Sequence, residues 1–305
     1  MTEQPRIGFI GLGNMGAPMC ARLLNAGLTV YAYDIDAGRT DTAVAAGALA
    51  GDSACSVAQQ ADLLFTSLPR PDHVEAVMRD GGALAALRPG SGWVDLTTNR
   101  IELLKALADE APTGVSVSDA PVTGAVDGAR NGRLTLFLGG PSDLVARAQP
   151  VLENLGRVIS CGRLGTGNVV KLVTNQLWFV HAAALGEGFA VGLSHGVDLD
   201  ILWEAIKASV GDSFVAQHDA PSVFAGHYDP SFTLGLCLKD LGLTHELAGT
   251  VTADLPMTAA AHQAFTRAAD RYGADAAELH VVRQIENDAG LDFRLPGDWT
   301  PHWEK

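Results

Sequence analysis

Positive charge is scarce in this chain. Its 305 residues carry 21 lysines and arginines against 35 aspartates and glutamates, a formal net charge of −14. An acidic surface of that size repels phosphate backbones, which argues against nonspecific nucleic-acid binding. Cysteine is sparse too. Cys20, Cys55, Cys161 and Cys237 show no C-x-x-C spacing and no nearby histidine pair. That pattern gives no ground for a metal site or a disulfide framework and suits small buried thiols in a reducing compartment. The N-terminus lacks an apolar core of signal-peptide length. The most apolar long stretch, Leu177 to Leu193, is broken by His181, Glu187 and glycines, which speaks against a membrane span. Internal repeats and low-complexity linkers are missing as well. What is present is 47% hydrophobic residues, enough for well-buried cores and two domains, and the expected setting is the cytoplasm.

The first forty residues are the most informative. Arg6-Ile-Gly-Phe-Ile reads as a buried strand, Gly11-Leu12-Gly13-Asn14-Met15-Gly16 as a turn, and Ala17 to Ala26 as a helix, with Asp34 ending the next strand. This G-x-G-x-x-G context predicts a cradle for a dinucleotide pyrophosphate. Gly11 permits the tight turn, Gly13 lets backbone approach the phosphates, and Gly16 lets helix pack on strand. Amides freed at the helix start face the anion. Asp34 favours NAD, because a carboxylate accepts from the ribose hydroxyls and repels a 2′-phosphate, while Arg39 leaves room for NADP. The bland alternative is an ordinary glycine-rich turn.

Short apolar runs alternate with helical patterns through the first half, as expected for parallel strands covered on both faces. The predicted strands are residues 6–10, 29–33, 62–68, 92–96, 115–119, 134–138 and 157–161. The expected fold is α/β: a doubly wound dinucleotide-binding sheet over residues 1–163, a long connecting helix over 164–195, and an all-helical domain over 196–305. Predicted helices in the last part are 198–210, 214–224, 234–250, 257–272 and 274–289. Trp299 and Trp303 in the tail suggest docking on another surface. The turns Ser67-Leu68-Pro69 and Asp95-Leu96-Thr97-Thr98 follow strand carboxyl ends, where open α/β sheets bind ligands, so both are expected to flank the cofactor.

Lys171 and Asn175 sit four apart on the long helix, hence on one face, after the glycines at 165 and 167. A lysine in the first turns of a helix opposes the helix dipole, so its placement calls for a reason. A lysine in a cleft between two domains can pass a proton to a substrate oxygen, while a carboxamide fixes orientation. The alternative is a solvated lysine. The glycine-dense run from Asp119 to Gly132 offers the Thr123 hydroxyl and the Gly124 amide as a grip for a carboxylate, or is simply a loop leading to the next strand. Lys239-Asp240, in a mostly apolar helix, reads as a surface or interdomain ion pair, and Lys239 as a cofactor contact if it lies in a cleft.

At these places the sequence resembles the β-hydroxyacid dehydrogenases, the family that includes 3-hydroxyisobutyrate dehydrogenase and tartronate semialdehyde reductase. The resemblance runs over nearly the whole chain. Gly11-Leu-Gly13-Asn-Met-Gly16 opens it, Asp119-Ala-Pro-Val-Thr-Gly matches the substrate loop, Gly165-x-Gly167-x-x-x-Lys171-x-x-x-Asn175 matches the catalytic segment, and Lys239-Asp240 matches a late pair. It implies a Rossmann-type first domain and Lys171 as general acid/base. It also implies substrate held by Asn175, Thr123 and Gly124, nucleotide contacts at Leu68, Pro69, Thr98 and Lys239, and homodimers or homotetramers built through the helical domain. The substrate it implies is a small carboxylate. Two positions depart from the family. Thr123-Gly124-Ala125 stands where Ser-Gly-Gly is usual, so added methyls narrow the pocket. His73 stands where many relatives carry asparagine on the nicotinamide side, and is read either as a titrating cofactor contact or as a surface histidine. The rival functions are imine reduction, whose enzymes generally lack the lysine; oxidative decarboxylation of a phosphorylated acid, for which no arginine cluster is evident; and a catalytically silent NAD-binding scaffold.

Overall fold

The computed structural model describes residues 4–299, in two units, the first ending at Lys171 and the second beginning at Leu172. The first unit is built on nine strands: β1 (Ile7–Ile10), β2 (Val30–Tyr33), β3 (Leu49–Ala50), β4 (Leu63–Thr66), β5 (Gly92–Asp95), β6 (Ser116–Asp119), β7 (Val122–Thr123), β8 (Leu134–Gly139) and β9 (Gly156–Gly162). Their order is β3-β2-β1-β4-β5-β6-β8-β7, with β9 on β8. From β3 to β6 every pairing is parallel, the doubly wound arrangement. β1, β4 and β5 are buried along their full length. One core lies on one face of the sheet, around Phe9, Phe65 and Leu136. A second forms around Ile10, Leu64 and Trp93.

The uniformly parallel sheet expected from the sequence is corrected at one side. β8 runs antiparallel to β6 and β7, and β9 returns parallel to β8. Between β6 and β8 the chain passes through β7 and the short helix Ala125–Asn131, and it reverses there. β3 and β7, two residues each, are too short to show as hydrophobic runs.

The start of β1 is tied to the start of β4 through Asp62. Its carboxylate accepts from the Arg6 backbone N–H at 2.9 Å, from Arg6 Nε and Nη2 at 3.2 and 3.0 Å, and from Arg88 Nη2 at 2.9 Å. The Arg6 guanidinium is the main reason that the Asp62 carboxyl is held down at about 2. A carboxyl whose folded-state value lies below its unfolded value, about 3.9, adds stability above that value and loses it as pH falls toward 2. The group is partly exposed, so water screens the pair and the effect is small. Asp62→Asn is expected to lower stability by about 1 kcal/mol at neutral pH. In thermal melts the difference from wild type should shrink between about pH 4 and pH 2.

The long helix Thr166–Ser194 continues from the first unit into the second. By length and composition it is apolar enough to cross a membrane. The second unit goes on with helices Leu199–Lys207, Ala220–Ala225, Leu234–Ala248, Pro256–Tyr272 and His280–Ala289, with a π-helical turn at Val215–Asp219. Its core is aromatic: Phe179, Phe189, Phe224, Phe265 and Phe293 are all buried. The last helix starts at His280, not at 274 as the sequence pattern suggests. Residues 274–277 are used otherwise: Ala274 and Ala276 carbonyls accept from Gly235 and Leu234, and Ala277 bridges Thr233. After that helix, the Arg294 guanidinium bonds Glu286 at 2.9 Å and contacts the Tyr228 hydroxyl. Trp299 packs edge-on against Trp203 and Phe224 of its own unit. Trp303 lies outside the described residues.

Candidate active site

The order β2-β1-β4-β5 sets four consecutive carboxyl ends side by side. From them come Asp34, the Gly11–Gly16 turn, Ser67-Leu68-Pro69 and Thr97-Thr98. Each glycine of the turn answers a different demand. Gly11 has φ +94°, and a Cβ on it would lie 2.3 Å from the Ser67 carbonyl oxygen. A Cβ on Gly16 would lie 1.9 Å from the Gly11 oxygen. On Gly13 a Cβ would meet only Arg39 Nη1, at 3.7 Å. Internal packing therefore requires the first and the last glycine, while the middle one keeps open space beside the backbone. The helix that follows starts without a side-chain cap, leaving amides for an outside acceptor. These features fit a dinucleotide pyrophosphate.

Asp34 is buried and held in place: Oδ2 accepts the Leu12 N–H at 2.7 Å, and Oδ1 the Asp36 N–H at 2.9 Å. Arg39 Nη1 stands 3.8 Å from the same carboxylate. Leu68 N–H donates to Thr97 Oγ1 at 3.0 Å, and Thr97 N–H to Asp95 Oδ1 at 3.1 Å, so the two flanking turns are fastened together. Asn14 and Pro69 are exposed, and Met15 and Thr98 partly so. His73 lies exposed on the short helix Pro71–Glu75.

The loop after β6 brings Thr123 onto β7, paired with Thr135 of β8. Gly124 takes φ +122°, and Ala125 takes φ +55°. Ala125 thus adopts a left-handed conformation that a glycine would hold without strain. That is a feature no composition argument exposes.

Lys171 and Asn175 are both buried, at 9% and 8% exposure, one turn apart on the long helix. The solvated-lysine alternative is therefore removed. The helix can begin where it does because its glycines permit close approach: a Cβ on Gly167 would lie 2.0 Å from the Phe137 oxygen. In the second unit, Asn175 Nδ2 donates to Asp240 Oδ2 at 2.7 Å, and Lys239 Nζ pairs with Asp240 Oδ1 at 2.8 Å. Asp240 is buried, so the surface reading of this pair is corrected: one carboxylate holds both the carboxamide and the amine. Trp178 lies on the same helix face as Lys171, seven residues on. Its indole N–H donates to buried Asp219 at 2.7 Å, and Phe232 meets its ring edge-on at 6.2 Å. Sequence reasoning missed Asp240 and Asp219 as anchors. The one available signal was an acid in an otherwise apolar helix. Among the described residues no group of histidines, cysteines and acids could hold a metal ion.

Residues 6–165 match the family described as the NAD binding domain of 6-phosphogluconate dehydrogenase, and residues 165–285 that described as the NAD-binding domain of NADP-dependent 3-hydroxyisobutyrate dehydrogenase. The chain is 37% identical to 2-(hydroxymethyl)glutarate dehydrogenase of Eubacterium barkeri, over 87% of this chain and 89% of that one. It is 35% identical to 3-hydroxyisobutyrate dehydrogenase of Pseudomonas aeruginosa, over 94% and 95%. Among solved structures it is similar to Mycobacterium tuberculosis 3-hydroxyisobutyrate dehydrogenase with L-serine, with a TM-score of 0.86, 30% identity and coverage of 93% and 99%. An imine reductase from Pseudomonas sp. shares the fold at 18% identity and a TM-score of 0.58.

Proposed function

The chain belongs to the 3-hydroxyisobutyrate dehydrogenase family of nicotinamide-dependent hydroxyacid dehydrogenases, and from that premise we propose a reaction: reversible oxidation of the alcohol of a small 3-hydroxy carboxylic acid, with Lys171 as general acid/base. The nicotinamide ring, when bound, supplies the hydride acceptor or donor. Lys171 as a neutral amine takes the hydroxyl proton, and as an ammonium returns it to the carbonyl oxygen on reduction. Thr123 and the Gly124 amide grip the substrate carboxylate, which sets the carbinol carbon in place. Asn175, oriented by Asp240, holds the hydroxyl beside the lysine. Ala125 sets the room beside the Thr123 and Gly124 grip, and Lys239 is assigned to the nucleotide. Asp34 selects NAD over NADP, since its buried carboxylate opposes a 2′-phosphate. The observation that carries this reading is the burial of an amine and a carboxamide on one helix face.

The test is a turnover screen with both nucleotides against 3-hydroxyisobutyrate, 2-(hydroxymethyl)glutarate, glycerate, serine, threonate and 4-hydroxybutyrate. Turnover of one of them with NAD supports the reading. Tight nucleotide binding with no turnover would favour a silent scaffold, and reduction of a cyclic imine alone would favour an imine reductase.

The protein works as a homodimer or homotetramer in the cytoplasm. Val169, Val173, Leu177 and Val191 form an exposed apolar stripe on the long helix, and Ile201 is exposed nearby in sequence; a stripe of this kind is normally covered. Light scattering should give at least twice the chain mass of 31.8 kDa. Leu177→Arg is expected to shift the protein toward monomer. A wild-type monomer at micromolar concentration would refute the assembly.

A further inference from the structure

A continuous chain of buried polar groups crosses the carboxyl ends of β4, β5 and β6 and ends on the long helix. The Trp93 indole donates to Thr66 Oγ1 at 2.9 Å, and Thr66 Oγ1 donates to Asp95 Oδ1 at 2.8 Å. Asn99 Nδ2 donates to Asp95 Oδ2 at 2.7 Å, and its backbone N–H to Asn168 Oδ1 at 2.7 Å. Asn168 Nδ2 in turn donates to Asp119 Oδ2 at 3.0 Å. Asp119 also accepts the backbone N–H groups of Gly165 and Asn168, both at 2.7 Å. Thr66, Asp95, Asn99, Asp119 and Asn168 each have 0% exposure.

Burying this many polar groups is costly unless every partner is present, and an apolar core would stabilise a fold as well. Its location gives the chain another use. Asn99 follows Thr97 and Thr98, which flank the nucleotide. Asp119 opens the loop that carries Thr123 and Gly124. Asn168 stands three residues before Lys171, so the two are neighbours on the helix surface. Asp119 meets the helix's first amides, where a negative charge opposes the positive dipole end that Lys171 approaches. Burial, chiefly, pushes the Asp119 carboxyl up to about 6, while its three N–H donors favour the ionised form.

We propose that Asn168 is a positioning residue for Lys171: its carboxamide fastens the first turn of the catalytic helix to the nucleotide-flanking loop on one side and to the substrate-loop strand on the other. The inference rests on the dehydrogenase reading above. With the carboxamide removed, the Asn99 N–H loses its acceptor and Asp119 one donor, so the lysine's turn can drift. A displacement of about 1 Å is enough to cost on the order of a hundredfold in rate.

The experiment compares wild type with Asn168→Ala and Asn168→Ser, reading kcat and KM with the hydroxy acid, nucleotide Kd by fluorescence titration, and melting temperature. Asn168→Ala is expected to lose about 10- to 100-fold in kcat, with nucleotide Kd within about threefold of wild type. Asn168→Ser, whose hydroxyl cannot span both partners, should fall between, and is the variant to read if the alanine protein does not fold. A folded variant with wild-type kcat, beside an active wild type, would overturn the positioning role alone. Loss of kcat, nucleotide affinity and melting temperature together would reduce Asn168 to a structural residue. Absence of turnover in wild type would defeat the dehydrogenase reading and this inference with it.

Discussion

Lys171→Ala is expected to lower kcat by about a hundredfold or more in both directions, the scale of a lost general acid/base, while nucleotide binding stays intact. The lysine is almost wholly buried, on a helix whose start is crowded with glycine contacts and whose first amides are already satisfied by Asp119. Replacement by alanine removes the amine and leaves Asn175 on its Asp240 anchor. The chemistry is what should suffer. Lys171→Arg should be nearly as inactive in oxidation, because a guanidinium keeps its proton at any working pH and cannot accept another. The pH profile separates this role from simple charge placement. Oxidation by wild type should rise toward alkaline pH, as more of the amine becomes neutral, and the residual rate of the alanine variant should lack that rise. Steady-state kinetics at saturating nucleotide, between about pH 6 and pH 10, reads that rise. Near-normal turnover in a folded, nucleotide-binding Lys171→Ala protein would remove this amine from the mechanism.

The parts of this site that can be read from the sequence are those whose physical requirement is local. Gly11 and Gly16 are legible because a tight strand-to-helix turn excludes Cβ atoms within a few residues of itself, and the distances bear this out. Asp34 is legible because it ends a strand of alternating burial. The spacing of Lys171 and Asn175 follows from helical geometry alone. What cannot be read is pairing at long range. Asp240 grips Asn175 from 65 residues away, and Asp119 reaches Asn168 across 49. No periodicity records either bond, and Lys239-Asp240 passes for a surface pair until its burial is known. The same limit explains the sheet. A strand's hydrophobic pattern is alike in both directions, so the reversal at β8 has no signature in its own residues. The helix start before Lys171 is held by Asp119, which accepts from the Gly165 and Asn168 amides and which the sequence offers only as the start of a loop.

Gly13→Ala should separate ligand from fold. Of the three glycines in the turn, Gly11 and Gly16 are needed by the protein itself, and an alanine at 16 would drive a methyl into the Gly11 carbonyl. Gly16→Ala is therefore expected to melt earlier whether or not nucleotide is present. Gly13 has no such internal reason. A methyl there touches only the end of the Arg39 side chain at an ordinary contact distance, and its φ lies outside the left-handed range that penalises alanine. Reduced freedom in the unfolded chain should even stabilise the variant by up to about 1 kcal/mol. Only a molecule lying against that backbone would feel the methyl, so nucleotide Kd should rise by about 10- to 100-fold, a loss of about 1.4 to 2.8 kcal/mol. At saturating nucleotide kcat should recover much of its wild-type value, because the lysine and its anchors are untouched. Fluorescence titration beside thermal melts gives both quantities on one sample. A Gly13→Ala protein that binds NAD as tightly as wild type would mean that no pyrophosphate approaches this turn.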